Sequence, residues 1–402
     1  MLCKNKKQYH GEKSLLDILK HLAEFMLNLR EDFVKAFAED IGVARKVGEK
    51  EVEFTCQYLA TMDEELPWIE GRRPYGKVAG ILPYDASTMM FARIAGSALI
   101  GGNRAVVSFS SLTPNVRDLV REAVDKAGAP VEVNTTCDNR TFGEICCKDQ
   151  SVRVFFVSGG EQVGSLFESR AHMFDKLIFA GPSGMPPALV MPGASVEDAA
   201  LFVARRAFLN GGQYCTTIKK VLVYAAYFDD FMDRLLELVD GIKVGDPLDP
   251  ETDYGPIKAR RTRVLLERAF RIIRGDYVRG GVIDGEWVPP TVVVADAPLP
   301  DIELFGPFLA VRAVEDPEAI VEEAVSTRYG HIIYVFGDIT ERQREKIEAN
   351  FGMCHYNPDF LFLPLRGPYG GKKEAGWIIE NRGGTLIKRD GPIIYSVEMT
   401  WQ

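Results

Sequence analysis

The sequence predicts an α/β protein of two lobes joined by a small strand-rich element, and three observations carry that expectation. Short β-branched runs alternate with helix-length segments between Lys77 and Phe179, the alternation starts afresh after Pro192, and the final stretch Thr385–Gln402 is rich in β-branched and aromatic residues. At about 150 residues per domain, 402 residues allow two to three domains and a sizeable core. A small disulfide scaffold or a lone binding module is excluded on length.

The elements follow in order. From Ser14, the apolar positions Leu15, Leu19, Leu22, Phe25, Met26 and Leu29 recur at steps of three and four, which predicts an amphipathic helix. Ser14 is placed to cap it, with Asp17 at the capping-box position. A second helix is expected over Glu49–Asp63, after which Pro67, Gly71 and Pro74 punctuate the chain. Strands are expected at Lys77–Leu82, Arg104–Phe109, Val131–Thr135, Arg153–Val157 and Lys176–Phe179, the rhythm of a parallel sheet wound with helices. Gly101–Asn103 lies between a helix rich in small residues (Ala92, Ala95, Gly96, Ala98) and a strand, and reads as turn chemistry. The second lobe opens with a helix over Ser195–Leu209, a glycine-rich loop through Cys215, a strand at Lys220–Tyr224 and a helix over Phe228–Val239.

Composition narrows the function. Charged residues make up 26% and hydrophobic ones 46%, an ordinary globular mixture, while 48 Lys and Arg against 57 Asp and Glu give a net charge of −9. That balance argues against broad binding to nucleic acid or anionic membrane and leaves small molecules and other subunits as partners. The seven cysteines, at positions 3, 56, 137, 146, 147, 215 and 354, are odd in number and form no CxxC pair, as expected of reduced intracellular thiols. No run approaches the ~18 apolar residues of a membrane span, and Lys4, Lys6 and Lys7 precede no apolar signal-peptide core, so a cytoplasmic location is expected. The five histidines show no ligand spacing, so no metal site is expected.

Chemistry concentrates at Asn210-Gly-Gly-Gln-Tyr-Cys215-Thr-Thr. A cysteine in a glycine-containing loop between a helix and a strand can present its thiol to a cleft, with backbone N–H groups nearby for an oxyanion. The plainer reading, a buried cysteine serving as a small hydrophobe, suits the other six.

Asn210-x-Gly-Gln-x-Cys215 resembles the nucleophile motif of the aldehyde dehydrogenase superfamily, and further blocks fall in the same order. These are Lys243-Val-Gly-Asp-Pro-Leu-Asp-Pro-Glu-Thr-Asp-Tyr-Gly-Pro256, Val288-Pro-Pro-Thr-Val292, Glu303-Leu-Phe-Gly-Pro307, Tyr329-Gly330, Asn357 and Pro368-Tyr-Gly-Gly-Lys-x-x-x-Gly376. The resemblance implies Cys215 as nucleophile, Glu303 at the nicotinamide ribose and Phe305 beside the ring. Upstream, Ser158-Gly-Gly-Glu-Gln-Val-Gly164 aligns with the glycine-rich turn at the cofactor pyrophosphate, implying Gly159 and Gly164 there. Glycines let the backbone approach phosphate, and a helix N-terminus attracts it.

Three departures stand out. Where hydrolytic members of the family carry a general-base Glu, the chain reads Phe179-Ala-Gly-Pro-Ser-Gly-Met185, so Ala180 or Gly181 takes that place and base catalysis worth about 10²- to 10⁴-fold is missing. The oxyanion Asn is replaced in Pro83-Tyr84-Asp85, and an ionised Asp85 repels an oxyanion where Asn donates to it. In the adenosine pocket, Ser108-Phe-Ser-Ser111 lacks both the lysine and the acidic residue of many members, which weakens any presumption for NAD over NADP at Ser108 and Ser111. The chain also begins close to the first family helix.

Two functions fit. The first is an NAD(P)-dependent aldehyde dehydrogenase acting through a Cys215 thioester, with coenzyme A as an open alternative to water because the Glu is absent. The second is a catalytically impaired member serving as a nucleotide-binding or assembly protein. The resemblance implies a Rossmann-like cofactor-binding domain (1–65 and 77–184), an α/β catalytic domain bearing the cysteine loop (185–384) and a β bridge (66–76 and 385–402) expected in a homodimer or homotetramer. Substrate identity has no readable signature, since Tyr214, Phe360 and Phe362 suit a pocket or a core equally.

Overall fold

The computed structural model describes residues 14–159, 166, 176–181, 184–382 and 384–402. The opening helix, Leu15–Asn28, starts where its cap places it: the Ser14 hydroxyl accepts from the Asp17 N–H, and the Asp17 carboxylate accepts from the Ser14 N–H. Its buried stripe, Leu19, Leu22, Ala23 and Met26, enters a core shared with helices Arg30–Ile41 and Arg45–Ala60. The second expected helix therefore begins before Glu49. It ends at Ala60 and gives way to a 3-10 helix, Met62–Trp68, that contains Pro67.

All five expected strands of the first lobe form, shifted by a residue or two, as Lys77–Ile81, Arg104–Ser108, Val131–Val133, Val152–Val157 and Leu177–Ala180. They pair in parallel in the spatial order third, second, first, fourth, fifth. Both faces are covered. Val78, Val107 and Phe156 join the core under the N-terminal helices, while Ala79, Val106 and Phe155 join Phe142, Cys146 and Cys147 on the other side. Near-continuous apolar strands are what a doubly covered parallel sheet requires. The strand order reverses between Lys77–Ile81 and Val152–Val157, and such a switch opens a ligand crevice outside the carboxyl ends of the two strands.

The second sheet also has seven strands, in the order Met353–Tyr356, Ile332–Phe336, Pro187–Val190, Lys220–Tyr224, Phe308–Val314, Thr291–Ala295 and Gly275–Arg279. Only the last pairs antiparallel. The molecule is thus an α/β protein with a Rossmann-like sheet and a second α/β lobe. No helix among the described residues is long and apolar enough to cross a membrane.

The chain's end departs from its expected strand character. Thr385–Asp390 forms a hairpin with Trp377–Arg382, which extends the first sheet antiparallel to Leu177–Ala180. A helical turn, Tyr395–Glu398, then interrupts the expected run before Thr400–Trp401 pairs with Arg73–Pro74. Pro392 cannot donate to a strand ladder, and the Tyr395 ring is instead stacked on Phe156 with centroids 5.3 Å apart. Asn103, at the expected turn, ties these pieces together: it accepts from Gly76 N and donates to the carbonyl oxygens of Ala98 and Met399.

Candidate active site

The helix Val196–Phe208, capped by Ser195, delivers the nucleophile loop. Asn210, Gly211 and Gly212 then take φ values of 54°, 58° and 69°, three left-handed residues in succession that reverse the chain. Gly212 is compulsory here, because a Cβ on it would lie 2.1 Å from the carbonyl oxygen of Gly306. Buried Lys219 clamps the approach by donating to the carbonyl oxygens of Gly212 (2.7 Å) and Gly306 (2.6 Å), and burial drives its ammonium down to about 7. The cysteine loop and the Glu303–Gly306 segment are thereby fastened to each other.

The Cys215 sulfur lies 3.1 Å from the Tyr369 hydroxyl. Tyr369 is itself fixed by a two-way backbone bridge to Ile393, by the Arg93 guanidinium 4.1 Å from its ring centroid, and by the edge-on ring of His331 at 5.4 Å. Protein packed around the thiol pushes it up to about 12, and the neighbouring Asp85 carboxyl adds to that shift. The Tyr369 hydroxyl, Arg206 and Arg93 work in the opposite direction. At rest the residue is a thiol, and ionisation is helped most by those three groups.

Asp85 follows the strand Lys77–Ile81 at the crevice and is buried beside the nucleophile. Burial raises its carboxyl to about 7, although interaction with the backbone N–H of Cys215 favours the ionised form. Asp85 therefore engages one of the backbone N–H groups of the cysteine loop. A second buried carboxyl, Glu51, accepts from the N–H and hydroxyl of Thr88 at 3.1 and 2.8 Å, lies against Tyr214, and is likewise raised to about 7.

The expected cofactor residues divide between the lobes. Buried Ser108 donates to Asn139 Oδ1 at 2.6 Å and accepts from Asn134 Nδ2 at 2.8 Å, so its hydroxyl is already engaged, while Ser111 is exposed in the following turn. Gly159 stands just beyond Val152–Val157 at the crevice; Gly164 lies outside the described residues. Glu303 pairs with Arg261 at 2.6 Å, and half-buried Phe305 follows on the clamped segment. Tyr84 bonds Thr262 at 2.9 Å, so the Asp85 loop also reaches the helix that carries Arg261.

At the place of the absent base, the Ala180 side chain joins the core on the far face of the sheet, with Trp377 and Ile379. Gly181 lies beside a cavity of about 40 Å³ that also touches Ser158, Tyr369 and Tyr395 and has no carboxylate among its described lining residues. That volume is large enough to admit a water molecule. Sequence reasoning missed Arg93, Arg206 and Glu51, and gave Tyr369 no role although it stands in the block Pro368–Gly376. Arg93 also carried a signal, as a lone charge within an otherwise small and apolar helical stretch.

Fold and site define a two-lobed α/β protein with one thiol held between a cofactor-type crevice and a second lobe. The chain belongs to the aldehyde dehydrogenase family, whose model matches residues 13–387. Among curated relatives, the 3-sulfolactaldehyde dehydrogenase of Priestia aryabhattai is 25% identical over 391 residues, covering 90% of this chain and 81% of its own. Among solved structures, an NADP-dependent enzyme of E. coli superposes with TM-score 0.84 at 22% identity, covering 96% of this chain and 84% of that one. An NAD-dependent aldehyde dehydrogenase of Sinorhizobium meliloti gives 0.85 at 21%, covering 96% and 80%. At those identities the two structures establish the fold.

Proposed function

We propose that this chain is an NAD(P)-dependent aldehyde dehydrogenase with Cys215 as its nucleophile. The observation that carries the reading is the meeting of the Cys215 thiol with the Tyr369 hydroxyl and the Asp85 carboxyl next to the crevice of the first sheet. As a thiolate, Cys215 adds to the aldehyde carbon, and the carbonyl electron pair moves to oxygen. The Tyr369 hydroxyl is a donor for that oxyanion, and the backbone N–H of Cys215 is a second one once Asp85 releases it. Asp85 joins them below about pH 7, where it carries a proton, and opposes them above it.

The crevice suits a dinucleotide: the strand order reverses there, Gly159 keeps its mouth open to close approach, and the Glu303 carboxylate offers acceptor oxygens for ribose hydroxyls. Glu303 and Phe305 would hold the nicotinamide half, Gly159 and Gly164 the pyrophosphate, and the Ser108–Ser111 turn would border the adenosine. A bound nicotinamide dinucleotide supplies the hydride acceptor that turns the adduct into a thioester on Cys215. Either NAD or NADP fits, since the two structural relatives are named for one each.

Among the described residues that line it, the cavity beside Gly181 has no carboxylate to take a proton from water, which favours an acyl acceptor that brings its own nucleophile, such as the thiol of coenzyme A. The exposed edge strand Thr385–Asp390, with Leu386 and Ile387 44% and 40% exposed, favours a homodimer or homotetramer. The test mixes the protein with a panel of aldehydes and NAD⁺ or NADP⁺ and follows reduced cofactor by absorbance. A stoichiometric burst, abolished by Cys215→Ala and converted to turnover by coenzyme A, is expected. Absence of any burst transfers the chain to the impaired, nucleotide-binding reading, and sustained turnover in buffer alone refutes the coenzyme A branch.

A further inference from the structure

Among the described residues, one buried cation next to the nucleophile has no counterion. Arg93 lies where the helix Ser87–Phe91 widens into a π-turn, Ala92–Gly96, a distortion frequent at functional sites. It is only 8% exposed, yet among the described residues its guanidinium makes no hydrogen bond and no ion pair. It lies over the face of Tyr369, 4.1 Å from the centroid. Cation–π attraction is worth about 2 kcal/mol when desolvated, well short of the cost of burying a charge.

The neighbours do not supply the missing anion. Glu65, which accepts from Tyr58, is taken by Arg366 at 2.5 Å. Asp85 is the acid beside the thiol, and burial disfavours its ionised form. The second buried arginine, Arg206, spends its donors on the carbonyl and hydroxyl of Thr216, the Tyr334 hydroxyl and the Leu361 carbonyl, all neutral. In a protein of net charge −9, the surroundings of Cys215 hold two buried guanidinium groups, one of them without polar partners among the described residues. Arg93 lies one tyrosine ring away from the sulfur, a reach suited to a short substrate whose aldehyde end sits at the thiol.

We propose that Arg93 is the receptor for an anionic group on the substrate, so that the preferred aldehydes are short and carry a carboxylate, sulfonate or phosphate at the far end. This rests on the dehydrogenase reading for the word aldehyde only. Anion capture beside Cys215 can be tested without cofactor or turnover, by comparing alkylation of Cys215 by iodoacetate, which carries a carboxylate, and by neutral iodoacetamide.

Both reagents consume the same thiolate, so the ratio of their rates cancels any effect of Arg93 on thiol ionisation. Peptide mapping by mass spectrometry confines the measurement to Cys215. The ratio of iodoacetate to iodoacetamide rate should be at least about tenfold higher for Cys215 than for free cysteine under the same conditions, and should fall by a similar factor in Arg93→Met. Arg93→Lys should retain part of the preference. A wild-type ratio no higher than that of free cysteine overturns the proposal even if the variants fail to fold. So does an unchanged ratio in folded Arg93→Met, including the case where both rates fall together, which would make Arg93 a group acting on the thiol alone.

Discussion

The Tyr369 hydroxyl stands 3.1 Å from the Cys215 sulfur, and the Tyr369 ring lies beneath the Arg93 guanidinium. Burial raises the tyrosine well above its ordinary value, so the hydroxyl keeps its proton and can donate it in a hydrogen bond to a thiolate or to the oxyanion that follows. A neutral donor in a dry site compensates in part for the carboxyl at Asp85.

Tyr369→Phe removes that donor and little volume. A hydrogen bond to a charged group is worth about 1.5–3 kcal/mol, so the acylation burst should slow by roughly tenfold or more. The Cys215 thiol should also titrate at higher pH, which the pH profile of its alkylation by iodoacetamide reads directly. An unchanged profile would show that the contact is packing alone.

Asp85→Asn tests the oxyanion argument with a stated pH dependence. The carboxyl titrates at about 7, so wild type loses a donor and gains a repelling charge as pH rises through that value. The variant should therefore acylate faster than wild type above pH 7, and the advantage should shrink below it. An equal or slower burst at pH 8 contradicts the role assigned to Asp85.

The two buried carboxyls also set a stability slope. Glu51 and Asp85 are raised to about 7 from 4.5 and 3.8. Between those limits the folded chain holds protons that the unfolded chain has released, so stability falls as pH rises and levels off once both carboxyls ionise. Glu51→Gln and Asp85→Asn should each flatten the decline in melting temperature between pH 4 and pH 8. Parallel curves for wild type and variants would remove these groups from the account.

Lys219→Met removes one donor from each of two buried carbonyl oxygens, those of Gly212 and Gly306, which keep the N–H groups of Gly306 and Phe308 as partners. A loss of about 1–3 kcal/mol in unfolding free energy is expected, since each of the two hydrogen bonds removed is worth roughly 0.5–1.5 kcal/mol. Because the clamp positions the Glu303 segment, dinucleotide affinity, followed by fluorescence, should weaken as well. Weakened stability with unaltered affinity would confine Lys219 to a structural role.

What the sequence revealed was local. Ser14 with Asp17, Ser195 before its helix, and the β-branched run at Lys220–Tyr224 each encode an element within a few residues, and the structure places them as read. The helical turn Tyr395–Glu398 was hidden because it answers to a distant ring, Phe156, and a β-rich composition cannot record that contact. The site divides in the same way. Cys215 is announced by its glycine loop, but Tyr369 and Arg93 reach it from other parts of the chain, and only the packing of the two lobes brings them to the sulfur. Asp85 was legible as a departure from the family pattern, whereas its elevated carboxyl depends on burial that no single segment encodes.

The central claim is that chemistry passes through a covalent acyl group on Cys215. Mass spectrometry of the protein after brief reaction with an accepted aldehyde and its dinucleotide, quenched in acid, measures that group directly. The Cys215 peptide should carry the mass of the acyl group, and hydroxylamine should remove it. Reduced cofactor accumulating with Cys215 unmodified, or an adduct borne by another cysteine, would contradict the account.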